Sequence, residues 1–112
     1  MIGAELIGTP YRRGGRDPRT GLDCYGLVVA LYRLRGIRIV DIAERLSGGE
    51  WQQVNSPAIY DLVLLGATHC GLYIPCGRLL HTTRETGAVL APLSAYRPMI
   101  SGYYHYVGGN NG

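Results

Sequence analysis

The chain has 112 residues, 46% hydrophobic and 17% charged, with a net charge of +3. That length suits one compact domain rather than two, and the apolar fraction excludes a disordered chain. No run of about 20 apolar residues occurs, so no membrane-spanning helix is expected.

Met1–Leu6 lacks a basic stretch followed by a long apolar core. This reads as a chain without a secretory signal, made in the cytoplasm. Gly8–Gly21 is loop-like, rich in glycine and proline. All eleven basic residues of the protein are arginine, and Arg12, Arg13, Arg16 and Arg19 crowd this loop. The loop reads as a solvated segment or as a positive rim facing an anionic substrate. Nucleic acid is not the expected partner, because no basic helix and no aromatic-basic interleave appears.

A helix follows over Cys24–Arg35. Asp23 is a good N-cap, and Leu27, Val28, Leu31, Tyr32 and Leu34 recur at helical spacing. Gly36 is the stop. A short helix fits Asp41–Leu46, ended by Ser47-Gly48-Gly49. After Pro57 the pattern turns to strands: Asp61–Leu65, His69–Ile74, Arg78–Thr83, Ala88–Ala91 and Gly102–Val107. A helix followed by a run of antiparallel strands predicts an α+β domain over residues 1–107, with residues 108–112 as a flexible tail.

Three cysteines are present, an odd number, with no spacing that resembles a zinc site. Free thiols are expected. A cysteine is a nucleophile only as thiolate, and a helix N-terminus or a nearby imidazolium lowers its pKa. Cys24 has the first by position; a histidine must supply the second. In the second strand His69, Gly71 and Tyr73 share one face, while Cys70, Leu72 and Ile74 share the other. If the three residues Pro75-Cys76-Gly77 form the turn, Ile74 pairs with Arg78 and Gly71 with His81. His69 then lies diagonally across from His81 on one face, with room for an imidazole over Gly71. A two-residue turn would separate the histidines. Cys24, His69 and His81 thus form a candidate nucleophile, base and orienting group. Cys70 should face the core without a role, Cys76 lies in an exposed turn, and His105 is expected to be structural. His69 and Cys70 point to opposite faces, so no metal site is expected, nor any cofactor.

Five segments carry a family resemblance: Gly8–Gly15 (GTPYRRGG), Gly21–Val28 (GLDCYGLV), Asp61–Leu65 (DLVLL), His69–Ile74 (HCGLYI) and Gly77–Thr83 (GRLLHTT). In this order, over nearly the whole chain, they resemble the NlpC family of papain-like cell-wall cysteine peptidases. The resemblance implies a nucleophile-bearing helix packed on an antiparallel sheet. It implies cleavage of peptidoglycan stem peptides, commonly between D-γ-glutamate and the diamino acid. By position it makes Cys24 the nucleophile, His69 the base and His81 the third member. It sets Tyr11 beside the nucleophile as an oxyanion donor, and Asp23 and residue 25 at the substrate. The chain departs from the family in carrying Tyr25 where a serine is usual, and Cys70 where an aliphatic residue is usual. Tyr25 and the Tyr-rich Gly102–Tyr106 resemble the phage-tail branch, which implies tail proteins as partners and action at the wall from a virion. The alternative is a catalytically inactive tail-tip protein that keeps the fold.

Overall fold

The computed structural model describes residues 2–39 and 49–108. The helix expected at Asp41–Leu46, its Ser47-Gly48 end, and residues 109–112 of the tail lie outside the described residues.

The chain enters through a 3-10 turn, Ala4–Leu6, and a small hairpin of β1 (Arg16–Asp17) and β2 (Gly21–Leu22). Then comes α1, Cys24–Leu34. Asp23 caps it as expected, its carboxylate accepting from the Gly26 N–H at 2.7 Å. Leu27, Val28, Leu31 and Tyr32 form its buried stripe, each at most 1% exposed.

Six strands make the main sheet: β3 (Trp51–Val54), β4 (Leu62–Leu65), β5 (His69–Ile74), β6 (Arg78–Thr83), β7 (Gly87–Pro92) and β8 (Ile100–Tyr106). Their order is β3-β8-β4-β5-β6-β7, with every neighbour antiparallel. One face is covered by α1, where Leu62, Cys70, Leu72, Ile74 and Leu80 meet the helix in the larger core. The other face carries Val63, Leu65 and Leu79, covered by the 3-10 segment Leu93–Met99 through Leu93 and Tyr96. Sheet residues therefore sort by parity, as pleating requires. The sequence pattern does not announce β3. Its Trp51 packs edge-to-face with Tyr32 at 5.6 Å and with Tyr106 at 5.1 Å between ring centroids, a cluster that ties β3 to α1.

Two polar anchors brace this frame. Asp61 is buried, accepting from the Ala58 N–H at 2.8 Å and lying 2.6 Å from His105 Nδ1, which gives His105 the expected structural place. The Tyr32 hydroxyl donates to the Tyr60 carbonyl at 2.6 Å.

The β5–β6 hairpin has the odd-length turn. Ile74 opposes Arg78, Tyr73 opposes Leu79 and Leu72 opposes Leu80, with Pro75-Cys76-Gly77 between them. Cys76 and Gly77 close it at φ of 70° and 67°, both left-handed. Gly71 sits under His81: a Cβ there would lie 2.8 Å from the Leu80 carbonyl oxygen and 3.0 Å from the His81 Cβ. Gly71→Ala should therefore destabilise the fold by about 1–3 kcal/mol, the usual cost of overpacking. Urea unfolding measures this; an unchanged midpoint would contradict the close approach.

Candidate active site

Asp23 fixes where α1 begins. Its N–H donates to the Gly15 carbonyl at 3.3 Å, and Arg16 Nη1 pairs with its Oδ1 at 2.7 Å. The same oxygen caps the helix, so one carboxylate ties the β1 segment to the first turn. This leaves Cys24 half-buried at the helix N-terminus, against the start of β5. Its Sγ lies 3.8 Å from the Thr68 carbonyl oxygen. That oxygen is only an acceptor, so the contact serves the neutral thiol and not the thiolate.

Other neighbours favour the thiolate more strongly. The thiol of Cys70 is the largest influence, hydrogen-bonding to the Cys24 sulfur. Burial acts in the opposite direction. His69 then adds a side-chain hydrogen bond and its charge, and the Cys70 backbone N–H donates as well. The balance holds the Cys24 thiol far below the ordinary range, at about 4. At neutral pH the sulfur is charged.

His69 Nε2 is 3.1 Å from His81 Nδ1, with the rings edge-to-face at 5.4 Å between centroids. That contact uses Nε2 and leaves Nδ1 of His69 for the thiol. Burial first, and the charge of His69 second, press the pKa of His81 below its usual value. A neutral His81 can accept at Nδ1 from a protonated His69, which fixes the tautomer. Its Nε2 then carries the hydrogen, and it has no hydrogen-bond partner among the described residues. Tyr96 stacks on the far side of His81 at 4.9 Å and completes its enclosure.

The structure thus gathers Cys24, His69 and His81. It differs from expectation at two positions. Cys70 is buried, as the pattern required, yet it is no bystander: the face it points to is the one α1 lies on, so its thiol meets Cys24. The clue in the sequence is a cysteine where the family usually carries an aliphatic residue. Tyr25, set at the substrate by family position although its bulk favours packing, is 3% exposed and packs in the core, with the Arg16 guanidinium 5.9 Å above its ring. Its ring has almost no surface to offer a ligand. Asp23 is engaged by Arg16 and the cap through one oxygen. Tyr11 is half-buried and pairs by backbone bridge with Leu22, two residues before Cys24.

Helix, sheet and cysteine–histidine pair together define an NlpC-type domain. The chain belongs to the NlpC/P60 family, which matches its residues 8–107. It is 31% identical over 105 residues to the bifunctional muramidase/DL-endopeptidase CwlT of Bacillus subtilis, covering 87% of this chain and 30% of that protein. It is 33% identical over 90 residues to the murein DD-endopeptidase MepH of Escherichia coli, covering 71% of this chain and 33% of that one. The chain therefore spans only about a third of the length of these curated relatives. An NlpC/P60 family protein from Bacillus cereus superposes with a TM-score of 0.79 at 24% identity, over 95% of this chain and 38% of that one. RipD of Mycobacterium tuberculosis, described as a non-catalytic NlpC/P60 domain protein adapted to peptidoglycan binding, gives 0.72 at 18%, over 95% and 92%. At these identities the two structures speak for the fold alone.

The depressed thiol has a direct readout. Because the folded pKa is lowered, thiolate persists at every pH above about 4 and is lost only as pH falls through that value. Alkylation of Cys24 by iodoacetamide should stay near its plateau from pH 8 to pH 5, where an ordinary thiol, with a pKa of about 8.5, slows steeply. Cys70→Ala should move the midpoint upward and slow labelling at pH 5. A midpoint that ignores Cys70 would remove its part in holding the thiolate.

Proposed function

We propose that this domain is a cysteine endopeptidase acting on peptidoglycan stem peptides, with Cys24 as nucleophile, His69 as base and His81 as the residue that orients His69. The observation that carries the reading is Cys24 in the first turn of α1, with His69 Nε2 3.1 Å from the buried His81. The thiolate attacks the scissile carbonyl carbon and a tetrahedral oxyanion forms. In this reading the backbone N–H of Cys24 donates to it, with Tyr11 as a second donor. His69, protonated, gives its proton to the leaving amine, and a thioester remains on Cys24. Water then attacks the thioester while His69 takes its proton; the acid product leaves and the thiolate returns.

The names of the two relatives differ in the bond they imply, one DL and one DD. The residue-level resemblance favours the D-γ-glutamyl–diamino acid bond, a DL bond. Tyr25 is buried and offers no small exposed hydroxyl to a substrate, and one Asp23 oxygen is taken by Arg16 and the helix cap, which weakens recognition of a free amine. Peptides still joined to glycan are the expected substrates. The tail-associated setting rests on Tyr25 and the Tyr-rich β8. Action from a virion, with tail proteins as partners, is part of this proposal and is tested by looking for the chain in purified particles.

Mass spectrometry of defined muropeptides is the decisive experiment. Wild-type protein should release products cut at the D-γ-glutamyl–diamino acid bond. Cys24→Ala should lose at least about 10³-fold in turnover while keeping its melting temperature, as expected when the nucleophile of a cooperating set is removed. Wall binding without any cleavage would instead favour a binding role. Turnover should also be faster on intact sacculi than on a free L-Ala-γ-D-Glu-diamino acid tripeptide; the reverse order would discard the glycan-linked preference.

A further inference from the structure

The arginine-rich loop does not dissolve into solvent. Residues Arg12 to Thr20 fold against the flank of α1, and between them and Arg33 lies an open cleft of about 610 Å³. Arg12, Arg16, Arg19 and Arg33 line it, against the single carboxylate of Asp17. Arg13, one of the four arginines of the loop, is not in the lining; Arg33 of the helix takes its place. Two of the four guanidiniums have internal partners: Arg16 pairs with Asp23 at 2.7 Å, and Arg19 with Asp17 at 3.0 Å. Arg12 and Arg33 are exposed and make no ion pair among the described residues. Four guanidiniums thus face one hollow against a single lining carboxylate, Asp17, which Arg19 pairs with and Arg33 also reaches electrostatically, while Arg12 has no ion pair among the described residues.

The cleft is not the catalytic site. Its lining meets the start of α1 at Asp23, through Arg16 and the Gly15 carbonyl, behind the helix cap. Arg33 stands nine residues beyond Cys24, about 13 Å along the helix axis. A ligand held there leaves the thiol open. Guanidinium is permanently charged and presents a planar fork that grips phosphate oxygens two at a time. A concave cleft of this volume admits one flexible strand, whereas a nucleic-acid duplex would meet only its rim.

We propose that this cleft binds a phosphate-bearing polymer of the bacterial wall, a single chain of polyols joined by phosphodiesters, and so tethers the domain near its substrate. The proposal rests on the wall-peptidase reading for its biological setting, but its test is a binding measurement that involves no cleavage. Fluorescence anisotropy with labelled poly(glycerol phosphate) is measured on the wild-type chain, on Arg12→Gln/Arg33→Gln, and on Arg84→Gln as a control outside the cleft. The double variant should bind at least tenfold more weakly, while Arg84→Gln binds as wild type. The dependence of log K on log salt should be shallower by about 1.4 in the double variant, because each phosphate of a single strand that is no longer neutralised lowers the slope by about 0.7. Cleavage of a soluble glycopeptide by the double variant should be unchanged, which shows it folded. Equal affinity of wild type and double variant would overturn the proposal. So would binding of single-stranded DNA or of polyglutamate as tight as that of the polyol phosphate, since either would assign the cleft to another ligand.

Discussion

The first turn of α1 lies where β5 begins, and Asp23 holds it there through the helix cap and Arg16. A strand shows alternate side chains to opposite faces, so a helix packed on one face meets only every second residue. Along most of β5 that rule holds: Leu72 and Ile74 look toward α1, and Tyr73 looks away. At the strand's first residues the sheet no longer screens one face from the other. There both Cys70 and His69, neighbours on opposite faces of the strand, act on the Cys24 sulfur. One helical turn further along, the sheet itself would stand between thiol and imidazole.

This placement explains the mixed character of the surroundings. Burial alone would keep the thiol neutral, and the Thr68 carbonyl adds to that tendency. The donors of Cys70 and the charge of His69 outweigh both. The Nε2 of His69 meets Nδ1 of His81 at 3.1 Å. His81 is buried between Gly71, Tyr96 and the sheet, where a second charge beside His69 would be costly. Of the two neighbouring histidines, His81 is thus the one whose burial disfavours the charged form.

Much of this is legible in the residues. The helix, its cap and the five later strands follow from period and punctuation, and the hairpin register follows from parity between His69 and His81. Three things are not. β3 carries only Trp51 and Val54 as apolar residues, and it becomes a strand by pairing with β8, a partner some fifty positions away that no local pattern discloses. Tyr25 takes its substrate role from family position alone, whereas its bulk favours the packing that the structure has. The meeting of Cys70 with Cys24 depends on which face of the sheet the helix covers, and alternation within one strand cannot say which face that is.

The strand order has a consequence for how the chain comes to be folded. β8, the last strand along the described chain, does not add to an edge but inserts between β3 and β4. A nascent chain leaving the ribosome can form the local hairpins of β4 to β7 early, because their partners are consecutive. It cannot close the sheet until residues 100–106 have emerged, and until then β3 has no partner and β4 shows a bare edge. Such late, long-range closure slows folding. It also leaves an unpaired apolar edge in the company of three free thiols until the last strand arrives.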